Sequence, residues 1–119
     1  MRLSEELRQR TKRYASNVVQ FYTALPTRRK EVEVLGHQLL RSGTSVAAHA
    51  REASRARSEA EFCSKLDVLL QEADESQLWL ELLHEDCAVT GEKIEHLLAE
   101  TTDLLAIFVT IVSKVRRKS

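Results

Sequence analysis

Structural punctuation is scarce in this chain: one proline, Pro26, and three glycines, Gly36, Gly43 and Gly91, serve 119 residues. An all-β or α/β fold needs many more tight turns than that, so long helices are favoured throughout. Aromatic residues are only 5% of the chain, which leaves few side chains on which nucleic-acid bases could stack. No uninterrupted apolar run approaches the roughly 20 residues that span a bilayer, and the opening MRLSEELRQR is polar where a signal peptide is apolar. A soluble, cytoplasmic protein with no membrane partner is expected. Of the two cysteines, Cys63 and Cys87, no CxxC motif is made. They fall near opposite ends of one expected helix, roughly 36 Å apart at about 1.5 Å per residue, too far to pair. Both read as ordinary packing or surface thiols.

What the chain does contain is apolar periodicity, in four segments long enough for one domain with its own core. The first helix is expected at about 3–25, with Leu3, Leu7, Thr11, Tyr14, Val18, Phe21 and Leu25 on one stripe and Pro26 as its stop. The second, about 30–55, carries Val32, Leu35, Leu39, Ser42, Val46, His49 and Ala53, flanked by the small residues Gly36, Gly43, Ala47 and Ala50. Ser42-Gly43 weakens helix propensity and marks a bend, or the break that would turn the fold into a three-helix alternative. The third, about 59–87, opens on Ser58-Glu59-Ala60-Glu61, a capping box, and keeps Phe62, Leu66, Leu69, Ala73, Ser76, Leu80, Leu83 and Cys87 in strict alternation. The fourth, about 91–117, repeats Ile94, Leu98, Thr101, Leu105, Phe108, Val112 and Val115 and ends in cations suited to a helix C-terminus. Helices this long, joined by short turns, fold back on one another. The fold class expected is all-α: an antiparallel up-down-up-down four-helix bundle over residues 1–119.

Two surpluses go beyond the seams. Val68, Leu78 and Leu82 on the third helix, with Leu97, Leu104, Ile107 and Ile111 on the fourth, widen the apolar arc. They are candidates for an oligomer interface, against the plainer reading that they broaden the core. The second surplus is charge: residues 1–57 hold 12 Lys and Arg against 5 Asp and Glu, and residues 58–119 hold 6 against 13. Either the halves pair their flanks, or Arg8, Arg10, Lys12, Arg13, Arg28, Arg29, Lys30, Arg51, Arg55 and Arg57 make a basic face for phosphates.

Catalytic and metal chemistry find little footing. His37, His49, His84 and His96 are scattered, and HExxH, GxSxG and phosphate-binding glycine loops are absent. Di-iron bundles need Glu-x-x-His on two helices, and only Glu81–His84 has that spacing. No cofactor, no metal and no enzymatic activity are expected. Arg41 beside the second seam and Glu72 and Glu75 beside the third suggest a structural bridge between those helices. His49, on a seam position, reads as a satisfied interior or interface residue, and Trp79 as packing at a helix junction or anchoring an interface.

The run Leu35-Gly36-His37-Gln38-Leu39-Leu40-Arg41-Ser42-Gly43-Thr44-Ser45-Val46, then Arg51-Glu52-Ala53, Ala56-Arg57-Ser58, Glu61-Phe62, Ser64-Lys65-Leu66, Glu72-Ala73-Asp74-Glu75 and Trp79-Leu80-Glu81-Leu82-Leu83, resembles a bacterial four-helix-bundle family, the 23S rRNA intervening-sequence or S23-type proteins. The likeness is close over the second and third helices and by pattern over the other two. It implies a bundle that assembles as a ring, typically a homopentamer. It also implies kinship with the accessory proteins of diversity-generating retroelements, which bind RNA or DNA and a reverse transcriptase through basic surfaces. By that resemblance Arg51, Arg55 and Arg57 with the cluster on the first helix would carry nucleic-acid binding. His49 stands where the family usually has Asn before the Glu-Ala pair.

Overall fold

The Ser4 hydroxyl accepts a hydrogen bond from the Leu7 amide at 3.1 Å, satisfying one of the orphan donors at a helix start. That cap sets α1 at Glu5–Ala24, slightly inside the limits that apolar period alone predicts. The computed structural model, which describes residues 3–118, continues with α2 over Lys30–Ser54, α3 over Glu59–Glu85 and α4 over Glu92–Lys118. Ser58 caps α3 as its box predicts, accepting from the Glu61 amide at 3.0 Å. The α3–α4 turn passes through Ala88 at φ 58° and Gly91 at φ 119°. The latter is a conformation only glycine adopts without strain.

The four helices and the absence of strands among the described residues make an all-α four-helix bundle, a rod of 49 × 21 × 20 Å. Helix α2 packs between α1 and α3, and α3 between α2 and α4, whereas α1 and α4 meet only sparingly. α2 runs unbroken through Ser42-Gly43, so the three-helix alternative is set aside. The reason is close approach on both sides of the pair. A Cβ on Gly43 would lie 2.9 Å from Val18 Cγ2 of α1, and the Ser42 and Ser76 hydroxyls share a buried 2.7 Å hydrogen bond between α2 and α3. Small side chains bring the neighbours near enough for packing to outweigh the propensity cost.

All eight expected seam residues of the third segment are buried, seven on α3 and Cys87 just past its end at Glu85. Two other expectations need correction. Leu97 and Leu104 are fully inside the core rather than on an outer face, and Leu98 and Leu105 stand half-buried beside them. α4 is rotated toward α1, which meets its 97/104 side: Tyr14 and Thr101 share a 2.6 Å hydrogen bond across that seam, and Arg10 grips Glu100. On α2 the buried residue is Ala50, not His49, which is half-exposed with Nδ1 2.8 Å from the carbonyl of Ser45 on its own helix. Because α2 lies between two helices its buried arc is wide, and the small residues on the α1 side complete it.

By length and composition α4 could cross a membrane: an 18-residue window reaches a mean hydropathy of 1.4, with 28% of it buried. Its deepest residues, Ile94, Leu97, Thr101, Leu104, Phe108 and Val112, face the other helices of the bundle.

Candidate functional site

Arg8 and Lys12 stand one turn apart on α1, and Arg51, in the last turn of α2, is followed four residues on by Arg55, which caps that helix. An i, i+4 spacing puts each pair on one helix face. Antiparallel packing then brings the start of α1 beside the end of α2. The four cations, with Glu5, Gln9, Thr11, Ala47 and Ser54, line a cleft of about 230 Å³ between the two helices. Ala47 and Ser54 leave the space that the long basic side chains surround. Arg51, Arg55 and Ala47 also border a second, shallower depression with Ala48 and Glu52.

The cleft is electrostatically uncompensated. Its one carboxylate, Glu5, accepts from Arg8 Nη2 at 2.6 Å and from Gln9 Nε2 at 2.9 Å. Lys12, Arg51 and Arg55 have no ion-pair partner among the described residues. Two polar atoms at the cleft are also left over: Arg8 Nε and Ser54 Oγ are buried without a hydrogen-bond partner, Ser54 being only 5% exposed. Buried donors without acceptors are uncommon in folded proteins and ask for an explanation.

The other cations of the expected basic face do not join this group. Arg10 points to α4, where Nε and Nη2 donate to the two Glu100 oxygens at 2.8 and 2.7 Å. The Arg10 guanidinium holds the Glu100 carboxyl below its ordinary value, and the carboxylate raises that of Arg10. A group with a lowered folded value stabilises the fold above the ordinary carboxylate range, and that contribution is lost as pH falls through the folded value. Glu100→Gln is therefore expected to cost about 1–2 kcal/mol at neutral pH. Thermal melts should show the gap between wild type and variant closing as pH is lowered below about 4; a gap that persisted undiminished in acid would contradict the assignment.

Arg28 and Arg29 in the α1–α2 turn and Lys30 at the start of α2 lie at the opposite end, roughly 30 Å from Arg8 along α1. There Arg29 Nη1 donates to the Cys87 carbonyl at 2.7 Å. Arg13 is exposed on α1 and Arg57 is exposed in the α2–α3 turn, 3.9 Å from Glu61. The ten cations thus fall into two ends and a flank instead of one face. What the sequence reading did not connect is the basic tail of α4. Arg116, held by Asp67 of α3 at 2.6 Å, brings Lys114, Arg117 and Lys118 to the same end of the rod as the cleft.

Elsewhere, Arg41 Nη1 lies 3.2 Å from Glu72 Oε2 and its Nη2 2.8 Å from Glu75 Oε1, a bridge from α2 to α3. Of the apolar surplus, Leu78 is 46% exposed, while Val68, Leu82, Ile107 and Ile111 are half-buried. Val109, which the sequence reading passed over, is 51% exposed. Trp79 packs half-buried against the core with its Nε1 unpaired. His84 Nδ1 turns to the Val89 carbonyl at 3.0 Å, and no group of three His, Cys, Asp or Glu side chains comes together among the described residues.

Comparison with known proteins returns the same architecture. A family profile described as 23S rRNA-intervening sequence protein matches residues 5–110. A crystal structure from Bacteroides thetaiotaomicron, of a protein with unknown function from the S23 ribosomal protein family, superposes with a TM-score of 0.80 at 34% identity. That match covers 88% of this chain and 96% of that one. No curated protein matches the sequence.

Proposed function

Since the chain belongs to the 23S rRNA-intervening sequence protein family, we propose that it is a non-enzymatic, ring-forming bundle that binds nucleic acid, or an enzyme acting on nucleic acid such as a reverse transcriptase, through the basic end of the rod. The observation that carries this reading is the convergence of Arg8, Lys12, Arg51 and Arg55 on one cleft with a single carboxylate among them. Unpaired cations cost the fold little while exposed, and they attract a polyanion by releasing its counterions. The cleft lining has no aromatic residue, so contact would be with phosphates and insensitive to sequence. The test is the affinity of labelled RNA measured across salt concentration. A log–log slope of about −2 to −4 is expected for a few phosphate contacts. No binding at low salt, or binding indifferent to salt, would rule the reading out.

The exposed Leu78 and Val109 favour self-association as a second element, and on its own this gives a purely structural ring that leaves nucleic acid alone. Light scattering on the purified protein is expected to return a multiple of the 13.6 kDa chain mass, falling toward one chain in Leu78→Glu with Val109→Glu. A wild-type protein that stays monomeric at tens of micromolar would remove the ring.

A further inference from the structure

The unpaired atoms at the cleft point to something narrower than a basic surface. Ser54 Oγ and Arg8 Nε are buried donors lacking acceptors, and they belong to different helices that face each other across the cleft. The cations around them are unmatched except for Arg8, whose Nη2 is occupied by Glu5 of its own helix. A neutral ligand would leave those charges as they are. A carboxylate offers two oxygens and one negative charge, fewer than the cations and the unpaired donors around the cleft could engage. A phosphate offers three or four acceptor oxygens in a tetrahedron and up to two negative charges. Size narrows the choice further: about 230 Å³ is below the 300–1,000 Å³ range of pockets that enclose drug-sized ligands. The cleft has room for a phosphate and its sugar, and its lining has no aromatic side chain on which a nucleobase could stack.

We infer that the α1–α2 cleft is a seat for a single phosphate group, held by Arg8, Arg51, Arg55 and the Ser54 hydroxyl, with Glu5 as the internal anion that yields Arg8 when phosphate enters. This deepens the nucleic-acid reading and rests on it for the source of the group, which is either the terminal phosphate of a strand or one phosphate of its backbone. The Ser54 hydroxyl, an unpaired donor in the cleft wall, gives the seat a selectivity that a field of exposed cations lacks, because its hydrogen bond depends on position rather than on charge alone.

Calorimetric titration of the full chain with inorganic phosphate, at constant ionic strength in chloride, reads the seat directly. Saturable binding is expected, with Ser54→Ala weakening it about tenfold, the worth of one hydrogen bond to a charged acceptor. Arg51→Gln should weaken it at least as much, and Arg28→Gln at the far end should leave it unchanged. Ser54→Ala removes one oxygen beside a helix end, and its melting temperature checks that the fold is intact. RNA with a 5′-phosphate is then compared with the same RNA bearing a 5′-hydroxyl. Tighter binding of the former, erased by Ser54→Ala, assigns a terminal phosphate. Equal binding of both, each competed by inorganic phosphate, assigns the backbone. Absence of phosphate binding, or binding untouched by Ser54→Ala and Arg51→Gln, overturns the seat while leaving any salt-dependent RNA binding in place. Phosphate binding without RNA binding retains the seat and overturns the nucleic-acid reading.

Discussion

Arg51→Glu combined with Arg55→Glu is expected to weaken RNA binding about 100-fold at roughly 50 mM salt and to flatten the salt dependence by about two contacts' worth. Each arginine replaced removes a phosphate contact, and each new carboxylate repels the backbone that the arginine attracted. Stability should hardly change, because both side chains are exposed and unpaired among the described residues, and exposed charges contribute little to folding. Arg51 also sits in the last turn of α2, where losing a cation costs a few tenths of a kcal/mol through the helix dipole. The matched control is Arg28→Glu with Lys30→Glu, where the α1–α2 turn enters α2. It changes net charge by the same amount at the other end, so a location-dependent effect separates the cleft from generic attraction. Equal losses from the two doubles, read by fluorescence anisotropy, would mean that binding follows overall charge and that the cleft has no special part.

Gly43→Leu should be the most damaging single substitution along the α1–α2 seam, at about 3 kcal/mol or more, which for a chain of this size lowers the melting temperature by roughly 10 °C or more. A Cβ alone would meet Val18 Cγ2 at 2.9 Å and Cγ1 at 3.0 Å. Val18 is fully buried and branched at Cβ, so it has no other rotamer to retreat into. The only relief is for α1 to move away from α2, and that movement would also separate Arg8 and Lys12 from Arg51 and Arg55. Reduced stability and weakened phosphate binding should therefore appear together. Calorimetric melting reads the first; a melting temperature within a few degrees of wild type would show that the seam is looser than its geometry implies.

The seams differ in how readily they could be read. α3 was legible residue by residue, because Ser58 and Glu61 mark its start and Leu66, Ala73 and Ser76, each between polar or charged neighbours, fix a register that decides among Val68-Leu69-Leu70 and between Leu82 and Leu83. α4 was not, since Leu97-Leu98 and Leu104-Leu105 are pairs of identical residues. Either member satisfies the period, and only the position of α1, through Tyr14 and Arg10, decides between them. On α2 a wide buried arc made of glycine and alanine carries little hydrophobic signal, so His49 took a place that belongs to Ala50. The basic residues were visible as a list but not as a site. Grouping them requires knowing that residue 8 lies beside residue 51 and far from residue 28, which antiparallel packing supplies and linear order conceals. Arg8–Lys12 and Arg51–Arg55 did share the one-turn spacing that marks a common face. Ser54, whose buried hydroxyl is left unpaired at the cleft, had no sequence signal at all.

Up-down-up-down winding has an effect on how the whole particle travels. The start of α1, the α2–α3 turn and the tail of α4 all lie at one end of a 49 Å rod, while at the other Glu31, Glu33, Glu81, Glu85, Asp86, Glu92 and Glu95 outnumber Arg28, Arg29, Lys30 and Lys93. A molecule of zero formal charge is thereby an elongated electric dipole. In the field of any polyanion such a dipole feels a torque before it makes a contact, one that turns the cleft end forward.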